Sequence, residues 1–423
     1  MTPIVPPLFD RSEASVAYQT ASQWANPSDI MSLFLLLGGD MIQKALAQQT
    51  GGQQRLPTPA VLSFGWVSYT FYALVSAVGD KLFLPPPEFS AVVFSSEWDS
   101  HRTNQSWALC RLLRDFEKTW MPSATLERLS KLRASPESKQ RRVGLVVSVF
   151  EASDKYEAGI PVRDYLWYSA YALTALQLGI SSIPWICYGI WEIFVVTLAG
   201  SVLAYSTANL PHWHQERWQC GRQSNKKFVL TRGNGAQHAI VILGQGRSLD
   251  LEDLSTSSET FPLPVGTSWV YMILTVLWCA LLIMVCGIQE QRWVLVAVGA
   301  IGMIHTVFIT GCPRNPEFYG IPLDFKEVIG QHKVMRTLMD VEEAYPGVGR
   351  SMVATFFPGK LHPHEILWWE DALKKENLVK KSRFQKPVSP EPHKNQKKGV
   401  ISKYSSRTTT CVSGTEDRAA MEK

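Results

Sequence analysis

Charge is missing from two long stretches of this chain. From Tyr165 to Leu210, about 45 residues carry a single charged side chain, Glu192. From Trp269 to Thr310, about 40 residues are broken only by Gln289-Glu290-Gln291-Arg292. A bilayer core of about 30 Å takes about 20 apolar residues per helix, so each stretch is long enough to cross, turn and cross back. These runs exclude a wholly soluble protein.

Cysteine is sparse and scattered. The seven residues Cys110, Cys187, Cys220, Cys279, Cys286, Cys312 and Cys411 form no CxxC pair, which argues against a disulfide framework or a zinc ribbon. His212-Trp213-His214, with Cys220 and His238 downstream, has metal-ligand types but fits no standard spacing. Trp213 and Trp218 read there as an aromatic belt at headgroup level. No GxSxG, HExxH, DDxxD or GxxxxGK[ST] occurs, and a hairpin turn accounts for Gly233-Asn234-Gly235. No cofactor and no metal is expected. Net positive charge is also missing from most of the chain. The sum is +5, and Lys380 to Lys423 alone holds eleven Lys/Arg against four Asp/Glu, so the basicity belongs to a tail and not to a nucleic-acid face. The N-terminal residues lack a basic n-region, so insertion is expected from the membrane helices themselves.

What is present reads as an α-helical polytopic membrane protein of about five or six spans with a small cytosolic α/β portion. Residues 1–29 read as a loose N-terminus. Residues 30–48 follow a helix-start signal at Ser28-Asp29 and form either a re-entrant or interfacial helix or a full span that buries Asp40. Residues 58–78 read as a span, and residues 79–164 as a loop with a helix near Ser106–Trp120 and a strand near Val143–Phe150. A transmembrane hairpin over 165–205 breaks at Pro184, and a loop over 206–268 carries a β-hairpin about Asn234-Gly235. A second transmembrane hairpin covers 269–310. Residues 311–379 read as helical, with amphipathic helices over Asp324–Glu343 and His364–Lys375, and 380–423 as a disordered basic tail.

Both tight turns are poor in Lys and Arg, whereas the large loops and the C-terminal region are rich in them. Positive-inside orientation therefore places the large segments in the cytosol. The sequon at Asn104 would then stay unmodified. The expected partners are membrane lipids, a lipophilic small molecule, and anionic lipid touched by the basic tail.

Three residues stand out as candidates for chemistry. Glu192 lies about seven residues into a span if the break is at Pro184, where an ionisable group is costly unless paired or wet. It suits a proton carrier, a general acid or a counter-ion, against the plainer reading of a near-interface carboxyl with one hydrogen bond. His305 is its natural partner from the last span, against a packing histidine. Asp40 matters if its helix is buried in the bilayer.

The runs NPSDIMSLFLLLGGDMIQKALAQ (26–48), LSFGWVSYTFYALVSAVGD (62–80) and LTRGNGAQHAIVILGQGRSLDLEDL (230–254) resemble a family of multi-span integral membrane proteins of filamentous fungi. The likeness extends over most of 24–370. It implies a fungal source and an intact membrane protein, in a setting sometimes close to secondary metabolism. It implies no activity, so no residue takes a role from it. The leading functional expectation is a non-catalytic accessory or scaffold protein. The alternatives are a membrane enzyme on an isoprenoid-like lipophilic substrate, with Glu192 as proton donor, and a transporter.

Overall fold

In a computed structural model of the chain, the residues described are 38–50, 56–63, 65–79, 82–96, 98–134, 144–256 and 266–384. The expected loose N-terminus, residues 30–37 and residues 385–423 of the expected disordered tail lie outside them; the first residues of that tail, 380–384, are helical, continuing the helix that starts at Pro363. One compact unit covers 1–376, and a second covers 377–423, of which 377–384 is described and is helical.

Helix α1 is Gly39–Gln49 and α2 is Gly65–Val78. Strands β1 (Val92–Ser95) and β2 (Trp98–Thr103) precede α3 (Trp107–Asp115), which ends in a π-turn over Phe116–Trp120. Then come α4 (Ser123–Ala134) and β3 (Val146–Ala152). The first apolar hairpin is α5 (Tyr165–Tyr188) and α6 (Glu192–Ala208), followed by short α7 (His212–Arg217). Next are β4 (Lys227–Thr231), β5 (His238–Leu243) and α8 (Leu251–Thr256). The second apolar hairpin is α9 (Thr267–Gly287) and α10 (Arg292–Gly311). After it come β6 (Leu323–Gly330), α11 (Val334–Ala344), α12 (Val348–Phe356) and α13 (Pro363–Phe384).

Helices α5, α9 and α10, of 24, 21 and 20 residues, are long and apolar enough to cross a membrane; α6, of 17, is apolar but shorter. Their outward faces carry exposed Ile183, Ile186, Val202, Ile273, Val276, Ile283, Ile304 and Phe308. An apolar surface of this extent is out of place in water.

The turn of the first hairpin lies beyond Pro184. Asp164 caps α5 by accepting from the Trp167 N–H at 2.9 Å, and the helix runs through Pro184 to Tyr188. It closes at Gly189, with φ 76°, where the Gly189 and Ile190 N–H groups donate to Trp185 O and Pro184 O. Glycine takes that conformation without steric cost, and a proline removes only one bond from a helix whose apolar surroundings offer the chain no better partner. Glu192 is therefore the first residue of α6, not a residue seven positions into a span.

Residues 58–78 do not form one spanning helix. Helix covers only Gly65–Val78, while Thr58–Ser63 is non-helical, preceded by Pro57 and containing Pro59. The segment starts beside α5 and the end of α6, where Tyr171 Oη donates to Pro57 O and Asn209 exchanges bonds with the Thr58 backbone at 2.6 and 3.0 Å. It runs inward to Leu62, packed against Gly200 of α6 and Gly302 of α10. It then turns back as α2, antiparallel to α9, with Trp66 stacked on Trp278 and Ser268 donating to Ala77 O at 2.9 Å. The segment begins and ends at the same end of the helix bundle.

Non-helical backbone at such a depth persists only when its polar groups find partners inside the protein. Gln177 of α5, wholly buried, supplies one: its Nε2 donates to Leu62 O and to Val298 O, each at 2.8 Å. The Trp66 indole supplies another, donating to Val61 O at 3.0 Å. Gln177→Leu strands the Leu62 carbonyl, so we expect a loss of about 1–3 kcal/mol, read as a lower thermal midpoint in detergent.

Outside the apolar hairpins the chain forms one six-stranded mixed sheet in the order β2-β1-β4-β5-β3-β6. The expected Asn-Gly hairpin is there, with β4 and β5 antiparallel and Val229 opposite Val241. Strand β3 runs parallel to β5 and antiparallel to β6. Alternation sends Phe228, Leu230, Ile240 and Ile242 toward α3, and Val229, Ala239 and Val241 toward α11–α13. The expectation of a helix from Asp324 is corrected: Leu323–Gly330 is an edge strand, and helix begins only at Val334. In LDFKEVIG the apolar positions Phe325, Val328 and Ile329 fit a helical stripe, but pairing along β3 fixes the segment as strand. Both hairpins are inserted within this sheet: α5–α6 between β3 and β4, and α9–α10 between β5 and β6.

Candidate functional site

The three residues singled out from the sequence are not brought together. Glu192 is exposed at the tip of the first hairpin. His305 is buried near the opposite end of α10, its Nε2 at 2.9 Å from Ser169 Oγ of α5. Asp40 is exposed in the first turn of α1. The aromatic belt also fails: Trp213 and Trp218 are buried in the protein interior. His212 is buried too, its ring tilted against that of Phe83 and its Nε2 3.1 Å from the Tyr271 hydroxyl. Asn104 is buried with its Nδ2 donating to Ser106 O at 2.8 Å, so the sequon is closed whichever side it faces. Among the described residues, no group of three or more His, Cys, Asp or Glu is placed to hold a metal ion.

The polar groups that do converge lie where the bundle meets the sheet. Helix α1 ends there, and its last carbonyls are the negative end of a helix dipole. Three buried arginines cover it. Arg217 Nη1 donates to Ala47 O at 2.7 Å and Thr50 O at 2.6 Å. Arg314 Nη1 donates to Gln48 O at 3.0 Å. Arg111 Nη2 donates to the Gln48 side chain at 3.0 Å and to Thr310 O at 2.6 Å. Carboxylates balance two of the three. Glu88 pairs with Arg111 at 2.8 Å, and Asp164 with Arg314 at 3.1 Å. Asp115 is also buried, accepting from the Arg314 backbone N–H at 2.9 Å and from the Tyr319 hydroxyl at 2.5 Å. Burial would raise the Glu88 carboxyl, but Arg111 and Arg114 outweigh it and hold the group below its ordinary value.

Beside this cluster is a cavity of about 270 Å³. Its walls come from the outer half of α2 (Tyr72, Ser76), the loop with Pro85-Pro86-Pro87, the start of α3 (Trp107) and the end of α7 (Glu216, Arg217). Glu216 is 4 % exposed and Arg217 2 %. Glu216 Oε1 accepts from the Phe83 and Leu84 N–H groups at 2.9 and 2.7 Å, which ties the loop to α7. Among the described residues its other oxygen, Oε2, has no hydrogen-bond partner, and neither has Arg217 Nε or Trp107 Nε1.

Burial pushes the Glu216 carboxyl up to about 7, against the pull of those two backbone donors. Burial also pushes the Arg217 guanidinium down to about 10, so it stays charged at neutral pH. The Glu216 shift makes stability depend on pH. Below the ordinary value of 4.5 the group is protonated in both states. Between there and about 7 the unfolded chain ionises while the folded one does not, so stability falls as pH rises through that window. At 1.36 kcal/mol per unit the loss is on the order of 3 kcal/mol. Thermal midpoints in detergent should fall faster from pH 5 to pH 7 in the wild type than in Glu216→Gln, which keeps the Oε1 acceptor and cannot ionise.

Sequence reasoning missed Glu216 and Arg217, because a six-residue helix has too few turns to show a periodicity. The only local signal was a Glu-Arg pair close behind an apolar run, within His212-Trp213-His214-Gln215-Glu216-Arg217. No family model, no curated protein and no solved structure matches this chain.

Proposed function

We propose that the protein is a multi-pass membrane protein that acts as a non-catalytic accessory, a scaffold holding an α/β platform against one face of the bilayer. The observation that carries this reading is the interleaving of the two parts: each apolar hairpin is inserted within a single sheet, so the platform cannot detach from its anchor. We take α5, α6, α9 and α10 as four crossing helices and 57–78 as re-entrant, which is fewer than five or six spans among the described residues. The Lys/Arg-rich loops support a cytosolic platform. Membrane lipids are its first partners, and the basic tail adds contact with anionic lipid. The resemblance to the fungal membrane family fits this reading.

The test is complementation of a strain lacking the gene, with untargeted metabolite profiling at matched protein level. Glu192→Gln, His305→Ala and Asp40→Asn should each restore the wild-type profile. A metabolite lost in any of them at unchanged protein level replaces the accessory reading with an enzyme. One observation favours a second reading, an enzyme on a lipophilic substrate: the cavity holding Glu216. Adding Glu216→Gln to the panel addresses it, since loss of a product in that variant alone moves the chemistry to the cavity.

A further inference from the structure

We propose that the cavity between α2, the triple-proline loop, α3 and α7 binds the carboxylate end of a long-chain fatty acid taken from the bilayer. Three observations meet there. First, the site holds a buried cation in need of an anion. Among the described residues no carboxylate forms an ion pair with Arg217, whose two Nη atoms are used on carbonyls. An uncompensated charge at that burial is costly, and an anionic ligand removes the cost. Second, the spare hydrogen-bonding atoms fit a carboxylate. Arg217 Nε and Trp107 Nε1 are buried, unpartnered N–H donors, and protonated Glu216 offers a third donor at its unpartnered oxygen. A phosphate monoester carries close to two charges and would press a second charge against Glu216. An alcohol has one oxygen for three donors and leaves Arg217 unneutralised.

Third, the cavity adjoins lipid. Its Tyr72 and Ser76 walls belong to the same turns of α2 as Val75 and Val78, which are 72 % and 71 % exposed. At about 270 Å³ it lies below the size of sites that enclose a whole drug-sized molecule, about 300–1,000 Å³. It takes a headgroup and the first methylenes, and the rest of the chain runs along α2 into the bilayer. The Leu82, Leu84 and proline walls suit those methylenes.

Binding should also report the protonation of Glu216. The groups around it are His212 and Arg217 on its own helix, Tyr69 and Tyr72 on α2, and Tyr271 on α9. Burial pushes His212 down to about 3, so it is neutral from pH 6 to 8. Ionised Glu216 repels a carboxylate, so affinity falls as pH rises across that range.

The experiment uses the full chain in nanodiscs and a photoreactive hexadecanoic acid with a diazirine on its chain. Unlabelled hexadecanoate, hexadecanol and hexadecyl phosphate serve as competitors. The expected result is crosslinking on α2 or the loop after it, with hexadecanoate competing at least tenfold better than the other two. Labelling in the wild type falls from pH 6 to pH 8. In Glu216→Gln the labelling no longer falls between pH 6 and pH 8. Trp107→Phe, which removes the indole N–H and keeps a ring, lowers labelling roughly tenfold, by the worth of one hydrogen bond to a charged group. If Trp107→Phe fails to fold, Glu216→Gln alone decides. The proposal is overturned if hexadecanol or hexadecyl phosphate competes as well as the acid, if the crosslinks map away from the cavity, or if Glu216→Gln keeps the pH profile of the wild type.

Discussion

Alanine at Gly302 is expected to leave little or no monodisperse protein in detergent, and leucine none. A Cβ built at Gly302 would lie 1.8 Å from Leu62 O, 2.8 Å from its carbonyl carbon and 3.1 Å from Ser63 Cβ. The first two contacts are with backbone, which cannot rotate away as a side chain would. Relief requires the re-entrant segment to back out of the bundle. That movement breaks the bond from Gln177 to Leu62 O and separates Leu62 from Gly200, where a Cβ would also sit only 2.8 Å from the Leu62 side chain. Ordinary overpacking costs about 1–3 kcal/mol, and here a buried, unpaired carbonyl adds to it. Gly179→Ala in α5 is the control, since a Cβ there meets nothing within 4 Å. It should be neutral or stabilising by up to about 1 kcal/mol, through the higher helix propensity of alanine. Fluorescence-detected size exclusion of the two variants side by side is the measurement. A well-folded Gly302→Ala protein would mean that residues 57–63 do not run inside the bundle.

Arg314→Met should be nearly as damaging, for an electrostatic reason. Arg314 and Asp164 are 4 % and 2 % exposed in their side chains and 3.1 Å apart. Removing one partner of such a pair costs about 3–5 kcal/mol, because the other is left charged and dry. The variant also uncovers Gln48 O at the end of α1. Asp164→Asn/Arg314→Met should recover part of the loss, since no charge is then stranded and the asparagine still caps α5. Thermal midpoints of both single variants and the double variant give the coupling. Additive single effects would show that the pair contributes nothing as a pair.

The parts of the fold that could be read from the sequence are those whose signal is local. Glu192 and the tip around Glu290 stand alone in charge-free runs, so both apolar hairpins were visible. Asn234-Gly235 between two β-branched runs marked its hairpin. Other parts depend on partners distant in sequence. Leu62 is set by Gly302 and Gln177, and nothing near Leu62 announces either, although Pro57 and Pro59 gave a local reason to doubt a helix. Residues 323–330 share their apolar spacing with a helix, and only β3 decides between the two. The site shows the same limit. Glu192, His305 and Asp40 drew notice as ionisable groups in apolar sequence, yet burial depends on packing. Charged residues that do fold inside, among them Arg111, Asp115, Glu216, Arg217 and Arg314, come from polar-looking segments.

The interleaving of hairpins and sheet also sets an order of events during synthesis. Strand β3, Val146–Ala152, pairs only with β5 and β6. Both are still unmade when it leaves the ribosome, and on the multi-pass reading proposed above one whole hairpin must enter the membrane before β5 appears. The second must enter before β6 does. Throughout that interval VVSVFEA, with its β-branched run, has both edges open, the kind of segment that pairs with other chains. The nascent protein therefore depends on membrane insertion keeping pace with translation. A stalled second hairpin would expose the edge of β3 that β6 later covers, so defects in insertion should surface first as aggregation of the soluble layer.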